Sequence, residues 1–490
     1  MSAHPPPAAD EAPAPAAVTK AAAYNALTEG AIGKTLFTFS LPILFGNVLQ
    51  SLNGSVNAMW AGRYLGGAAL TATSNANTIL FFLIGSIFGV GMAATILVGQ
   101  NIGARNIDQA KRVVGTSATF FVTLAVVLAV LGFLFSPQLL QKMRTPADAM
   151  PFAVAYMRLI FVAIPFIFAY AFLMMTLRGA GDSKTPLYFS LVSVALDIAL
   201  NPVFIFGVGP IPKMGIAGSA VASLIANVVT LVALLVHLYR KNHFLCLRGA
   251  ELRYLRIDTT ILRSLVLKGL PMGLQMVLMS ASAIVMISMV NVYGSDTTAA
   301  FGAALQLWNY IQMPAMAIGM AASSMAAQNV GAKRFDRLGR IAMVGVGYNF
   351  LMTGALATII YVLNQQALGL FLRTPGPLAI AQHINAIVVW SFSLFGVSMV
   401  LSGVVRSTGA VVVPVLILFV SLWVLRIPFA IVFRGALGVD AIWWSFVVGS
   451  AAAMVLSAAY YRFGNWRTAT MLVGAKPAAA VAAAAVKDPV

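Results

Sequence analysis

Long apolar stretches broken by short polar turns set the pattern of this chain. Runs such as Phe120 to Phe135, Phe152 to Met175 and Val411 to Val424 carry almost no charge. A helix needs about 20 apolar residues to cross a bilayer. Only helices and closed barrels satisfy their backbone groups in lipid, and these runs are too long for barrel strands. The pattern therefore predicts an all-α membrane protein with twelve transmembrane helices, over residues 36–60, 70–98, 113–135, 150–175, 186–208, 215–240, 262–290, 299–325, 341–365, 380–403, 411–433 and 439–461.

The pattern also repeats. GQNIGARNID at 99–108 returns as AQNVGAKRFD at 327–336, RTP at 144–146 returns at 373–375, and LP at 41–42 returns at 270–271. Arg178, Gly181 and Pro186 of LRGAGDSKTP return as Arg406, Gly409 and Pro414, and all these separations agree to within one residue. Each repeat holds six spans, an even number, so equivalent helices run the same way and the two bundles are related by an axis along the membrane normal. The expected division is a disordered cytoplasmic tail at 1–30, an N-terminal six-helix lobe at 31–240, a cytoplasmic linker at 241–261, a C-terminal six-helix lobe at 262–465 and a second tail at 466–490. Two such pseudo-symmetric bundles enclose a cleft that opens to either side by rocking. Gln100, Asn101, Gly103, Arg178, Gly179 and Gly181 are expected to build turns and lobe packing rather than to touch cargo.

Composition narrows the class. Of 490 residues, 60% are hydrophobic and 9% charged, against roughly 25% charged in soluble domains, which excludes a water-soluble fold. The net charge of +18 would suit a nucleic-acid partner if it were clustered in a domain. Instead, Arg63, Lys142, Arg144, Lys213, Arg373 and Arg434 fall on one side, Arg158 and Arg426 fall inside spans, and the other basic residues fall in the tails and alternate loops. This is the positive-inside asymmetry, with both termini cytoplasmic. The expected setting is the cell (inner) membrane, with membrane lipids and small-molecule substrates as partners, no nucleic acid, and a monomeric chain. Cys246 stands alone, so a disulfide framework is excluded. Residues 1–25 lack the basic region and apolar core of a signal peptide.

Candidate chemistry is confined to the spans. Of 13 Asp and Glu, only Asp197 lies deep in an apolar run. A charged carboxylate at the bilayer centre costs about 2.5–3.5 kcal/mol even on the mild insertion scale, which makes it a functional candidate. Ser190, Ser193, Asp197 and Asn201 fall on one helical face, and Pro202 frees a backbone carbonyl beside them. The first span puts Asn47, Gln50, Gly54 and Asn57 on one face with Asn53 beside it, and the second adds Ser74, Asn75 and Thr78. A lone carboxylate in low dielectric gains a proton more readily than one in water. Na⁺ would require several oxygens, from Asp197, Asn57, Asn201 and Ser223. Both ions stay open, and Asp197 is a metal ligand only in the Na⁺ case. Gln275, Met279 and Met286 in the greasier seventh span are candidates for the cavity wall, as methionines adapt to varied surfaces. His4, His237, His243 and His383 show no metal-binding spacing, and neither an HExxH nor a phosphate-binding loop occurs. No enzyme activity and no cofactor is expected beyond the transported H⁺ or Na⁺.

The set LP at 41–42, AGRYLG at 61–66, VGQNIGARNIDQAKRV at 98–113, YMRLIFVAIPF at 156–166, LRGAGDSKTP at 177–186, LNPVFIFG at 200–207 and MGIAGSAVAS at 214–223 resembles the multidrug and toxic compound extrusion (MATE) family, over about residues 30 to 465. The resemblance implies a two-lobed antiporter that expels cationic or amphipathic compounds against H⁺ or Na⁺. It puts the family's first-helix aspartate at Asn57. The family's Asn-then-Asp order in the fifth helix is reversed here as Asp197 and Asn201. Tyr156 and Ser223 complete the implied site, and Met279 lies near the place of a seventh-helix glutamate found in one branch. A lipid-linked oligosaccharide or peptidoglycan-precursor flippase of the same superfamily is the alternative, weakened by the scarcity of basic residues in the spans.

Overall fold

The computed structural model describes residues 27–60, 66–143, 145–147, 149–372 and 374–472. Arg63, Arg144 and Arg373, and most of both tails, lie outside the described residues. The N-terminal half consists of α1 (Ile32–Trp60), α2 (Gly66–Gly103), α3 (Ile107–Lys142), α4 (Met150–Gly179), α5 (Lys184–Phe206) and α6 (Ile216–Arg240). The C-terminal half consists of α7 (Thr259–Asn291), α8 (Ser295–Ile311), α9 (Met313–Gly331), α10 (Asp336–Val362), α11 (Pro375–Val388), α12 (Ser391–Arg406), α13 (Val412–Val432) and α14 (Asp440–Phe463). Among the described residues nine helices are long and apolar enough to cross a membrane, and α11 with α12, bent by 45°, makes a tenth. The two other expected spans fall on α2 and on the pair α8 and α9. The latter breaks at Gln312 because Pro314, in the first turn of α9, has no N–H to continue the helical ladder. A second irregularity is the π-helical stretch Val420–Arg426 inside α13.

The lobes meet on the side that carries the basic loops. Two reciprocal hydrogen bonds join them there: Gln100 Nε2 donates to the Ser407 carbonyl at 2.6 Å, and Gln328 Nε2 donates to the Gly179 carbonyl at 3.0 Å. These are the same bond made twice, once from each repeat. The helices approach so closely that a Cβ on Gly103 would stand 1.9 Å from the Gln328 carbonyl oxygen, and one on Gly331 would stand 1.8 Å from that of Gln100. Small residues of this kind let membrane helices pack backbone to backbone. Of the residues expected to build turns and lobe packing, Gln100, Gly103 and Gly179 lie at this seam, whereas Asn101 bonds the Leu97 carbonyl of its own helix.

The lobes also exchange helix halves. The first turns of α1 bury Ile32, Leu36, Phe39 and Ile43 in a cluster with Ala321, Met325 and Val404 of the C-terminal half. The first turns of α7 bury Ile261, Leu265 and Met272 among Val90, Leu97 and Val113 of the N-terminal half. Each of these helices carries an internal proline, Pro42 in α1 and Pro271 in α7. Further along each runs in its own lobe, where Asn57 of α1 meets Asp197 and Met286 of α7 packs with Phe301, so α1 and α7 physically link the two bundles.

Two expected boundaries need correction. Residues 27–30 belong to the packed structure: Asn329 and Arg334 donate to the carbonyls of Leu27 and Thr28, and Leu27 is buried. Residues 466–472 likewise cover the seam, with Trp466 and Met471 buried and Thr408 Oγ1 donating to the Trp466 carbonyl. Both segments were expected to be tail because hydropathy weighs composition and not the carbonyls that a segment offers to a neighbouring loop. The linker is also docked, because Lys111 Nζ pairs with Glu251 at 2.6 Å and the Tyr254 hydroxyl donates to Asp108.

Two predictions follow from the packing. Gln100→Leu and Gln328→Leu each remove a cross-lobe bond and leave a buried carbonyl unpaired, at a cost of about 1–3 kcal/mol. Each should raise the labelling rate of an Ala327→Cys probe in a Cys246→Ser background, and unchanged labelling would refute the seam. At the linker, Lys111 holds the Glu251 carboxyl below its usual range and Tyr254 does the same for Asp108. Docking from these groups is complete above their unfolded values of 4.5 and 3.8 and lost as pH falls through the lowered folded values. Proteolysis between Gly249 and Arg256 should accelerate on acidification below that window and not above it.

Candidate functional site

Asp197 lies in the middle of α5 and is 2% exposed. Each carboxylate oxygen is held by a different helix. Asn57 Nδ2 of α1 donates to Oδ2 at 2.9 Å, and Ser223 Oγ of α6 donates to Oδ1 at 2.8 Å. Asn201, one turn further along α5, donates through Nδ2 to Asn57 Oδ1 at 3.0 Å and to the Asp197 carbonyl at 2.8 Å. Four of the five residues assigned to cation coupling therefore form one hydrogen-bonded cluster. Tyr156 on α4 is buried and within electrostatic range of Asp197, but it makes no hydrogen bond to the cluster.

The local sequence explains why α5 can present this face. Ser190, Ser193, Asp197 and Asn201 are all buried, while Leu191, Val192 and Ile198 on the other faces are exposed to the surroundings of the bundle. Pro202 stands inside the helix next to Asn201, and α5 ends at Gly207, whose φ of 76° is accessible to glycine without strain.

The arrangement can hold a proton or a small cation. Both carboxylate oxygens accept hydrogen bonds, as an ionised group requires. The Ser223 hydroxyl can reverse its role and accept from a protonated carboxyl without moving, because a hydroxyl is both donor and acceptor. Each carboxylate oxygen accepts only one hydrogen bond here and keeps a further lone pair, so Na⁺ could be coordinated beside the Asn57 and Ser223 donors. Asn201 Oδ1 is buried without a hydrogen-bond partner, which leaves one oxygen available as a ligand or acceptor.

The cavity candidates are scattered. Gln50 is exposed, Asn47 and Asn53 are half-buried, and Asn53 Oδ1 is buried without a partner. Gln275 Oε1 accepts from Arg406 Nη1 at 2.6 Å, an attachment to the seam. Met279 is half-buried, whereas Met286 is wholly buried in a cluster with Val290, Ala300 and Phe301 and so fills core rather than cavity. The side chains of Ser74, Asn75 and Thr78 lie outside the described residues. Both arginines inside spans lie over aromatic rings. Arg158 lies over the Phe133 ring at 5.1 Å. Arg426 lies over Phe446 at 3.5 Å, with its Nε buried and unpartnered. The repeat itself was the signal that could have singled out Arg426.

Two six-helix lobes with a polar site inside one of them define a two-lobed membrane transporter. Comparison with known proteins agrees. The MatE family model matches twice, at residues 42–203 and 271–432. The chain is 39% identical over 434 residues to the probable multidrug resistance protein YoeA of Bacillus subtilis, covering 88% of this chain and 94% of that one. It is 22% identical to the probable multidrug resistance protein NorM of Thermotoga maritima, covering 90% and 94%. A crystal structure of MATE in complex with MaD3S superposes with a TM-score of 0.83 at 21% identity, covering 90% of this chain and 97% of that one. An outward-facing multidrug resistance MATE transporter of the MOP superfamily superposes with a TM-score of 0.82 at 21% identity, covering 89% and 96%. The chain belongs to the MATE family of multidrug efflux transporters.

Asn57 bridges α1 to two residues of α5. Replacing it with Leu leaves Asp197 Oδ2 and Asn201 without their partners, and the cost should be about 1–3 kcal/mol. A lowered Tm of the purified protein, recovered in the triple variant that adds Asp197→Asn and Asn201→Leu, is the expected result; an unchanged Tm would mean that the bridge does not contribute.

Proposed function

We propose that this chain is a secondary active exporter that exchanges H⁺, or Na⁺, for organic compounds of cationic or amphipathic character by alternating access. The observation that carries the reading is the hydrogen-bonded cluster of Asp197, Asn57, Asn201 and Ser223 inside a lobe that otherwise holds no carboxylate in its spans. One carboxylate rather than two supports the proton, and protonating Asp197 requires only that Ser223 turn its hydroxyl.

The same cluster supplies a route from ion to movement. Asn57 stands near the far end of α1, whose first turns are buried in the C-terminal half. A proton on Asp197 weakens the charge-assisted bond to Asn57, and such bonds are roughly twice as strong as neutral ones. The change is passed along α1, past Pro42, to the seam between the lobes. In this reading the protein acts as a monomer in the cell (inner) membrane, with both termini in the cytoplasm.

The test is efflux of a fluorescent organic cation from everted vesicles, with ΔpH and ΔNa⁺ imposed separately. Wild type should export under ΔpH, and Asp197→Asn should reduce export to background at unchanged expression. Ser223→Ala, which removes one of two charge-assisted bonds, should lower the rate about 10- to 100-fold, as the loss of a bond worth 1.5–3 kcal/mol implies. Export by Asp197→Asn at the wild-type rate would overturn the assignment.

A further inference from the structure

The repeat places a different group where Asp197 would recur. The shared LP pair aligns α1 with α7 and sets Asn57 against Met286. The shared Arg, Gly and Pro of the preceding turn align α5 with α13. The π-helical stretch Val420–Arg426 takes in one residue more than an α turn, which sets Asp197 against Arg426 and Asn201 against Ala430. The loop before α6 ends at Gly215 (φ 58°, ψ −132°), and the loop before α14 turns at Gly438 (φ 60°, ψ −134°). These matching dihedrals align the two turns and set Ser223 against Phe446. The N-terminal quartet of Asn57, Asp197, Asn201 and Ser223 thus recurs as Met286, Arg426, Ala430 and Phe446. The contact between Asp197 and Ser223 recurs as the contact between the Arg426 guanidinium and the Phe446 ring at 3.5 Å.

The C-terminal lobe therefore carries a cation at the depth where the N-terminal lobe carries an anion. Met286 and Ala430 are wholly buried in its apolar cluster. Among the described residues Arg426 makes no ion pair and no hydrogen bond, and its Nε is buried without a partner, although the side chain as a whole stays partly accessible. A ring face attracts a cation but accepts none of the planar N–H donors that a guanidinium carries in its own plane. Their natural complement is a carboxylate, which meets the fork in two parallel bonds. Unpaired charges inside membrane proteins are costly and mark substrate or ion pathways.

We propose that Arg426 is a substrate-binding residue that receives the carboxylate of an amphipathic organic compound, with Phe446 beside it to cover the compound's apolar body. The cargo would then include zwitterionic and acidic aromatic compounds as well as cations. This deepens the exporter reading and rests on it for the word cargo, but binding can be measured with no gradient present.

The experiment uses the purified full chain in discs of phosphatidylcholine, which offer no anionic lipid, and fluorescence polarisation of a xanthene dye supplied as the free carboxylate and as its methyl ester. Wild type should bind the free acid at least about tenfold more tightly than the ester. Arg426→Gln and Arg426→Met should bring the acid down to the affinity of the ester and leave the ester within about twofold of wild type, while Arg426→Lys keeps part of the preference. Both uncharged variants should fold with an equal or higher Tm, because an unpaired buried charge is removed. A wild type that binds acid and ester equally, or that binds neither, overturns the proposal. So does a parallel loss of both ligands in the uncharged variants, which would give Arg426 a packing role. Failure of gradient-driven efflux with the acid preference intact would instead remove the exporter reading and leave this site standing.

Discussion

Hydrocarbon supplies no hydrogen bonds, so the carboxylate of Asp197 can stay inside the membrane only while neighbouring helices supply donors. Asn57 on α1 and Ser223 on α6 do this, and Asn201 locks Asn57 in the orientation that serves it. Three helices are thereby tied to one charge. Since α1 continues into the opposite lobe, the candidate site and the contact between lobes share one helix.

The seam has the same logic in neutral form. Gln100 and Gln328 satisfy carbonyls of the facing lobe, and glycines at 103 and 331 remove the side chains that would hold the backbones apart. Each of these bonds is modest, and both can be exchanged for water if the seam opens on the side of the basic loops. An interface built from a few direct polar contacts and close backbone approach, with its apolar area shared through α1 and α7, is suited to a reversible rocking motion. The internal prolines of α1 and α7 stand near the points where these helices pass from one lobe to the other.

The two lobes share equivalent turns and differ in their electrostatics. Matching positive-φ glycines still turn the chain into α6 and α14, and the arginines at 178 and 406 still stand at equivalent places. At mid-membrane, however, one lobe has a hydrogen-bonded acid and the other has a guanidinium against an aromatic ring. Duplication provides two walls of the same shape, and divergence of a handful of side chains gives each wall its own chemistry.

Much of this was legible in the chain itself. Apolar run lengths, loop charge asymmetry and the doubled landmarks determine a two-lobed helical membrane protein, because bilayer thickness and backbone satisfaction leave few alternatives. The isolation of Asp197 in an apolar run likewise marked the candidate site, and its neighbours at one-turn spacing had to share its side of α5. Only the tertiary structure decided which residues from other helices complete the cluster. It joined Asn57 and Ser223 to Asp197, left Tyr156 outside the hydrogen bonds, sent Met286 into the core and attached Gln275 to Arg406. It also showed that residues 27–30 and 466–472 are packed, and that α1 and α7 cross between lobes. These outcomes depend on how helices far apart in sequence meet, and on the extra residue taken in by a π turn, which periodicity along a single helix does not encode.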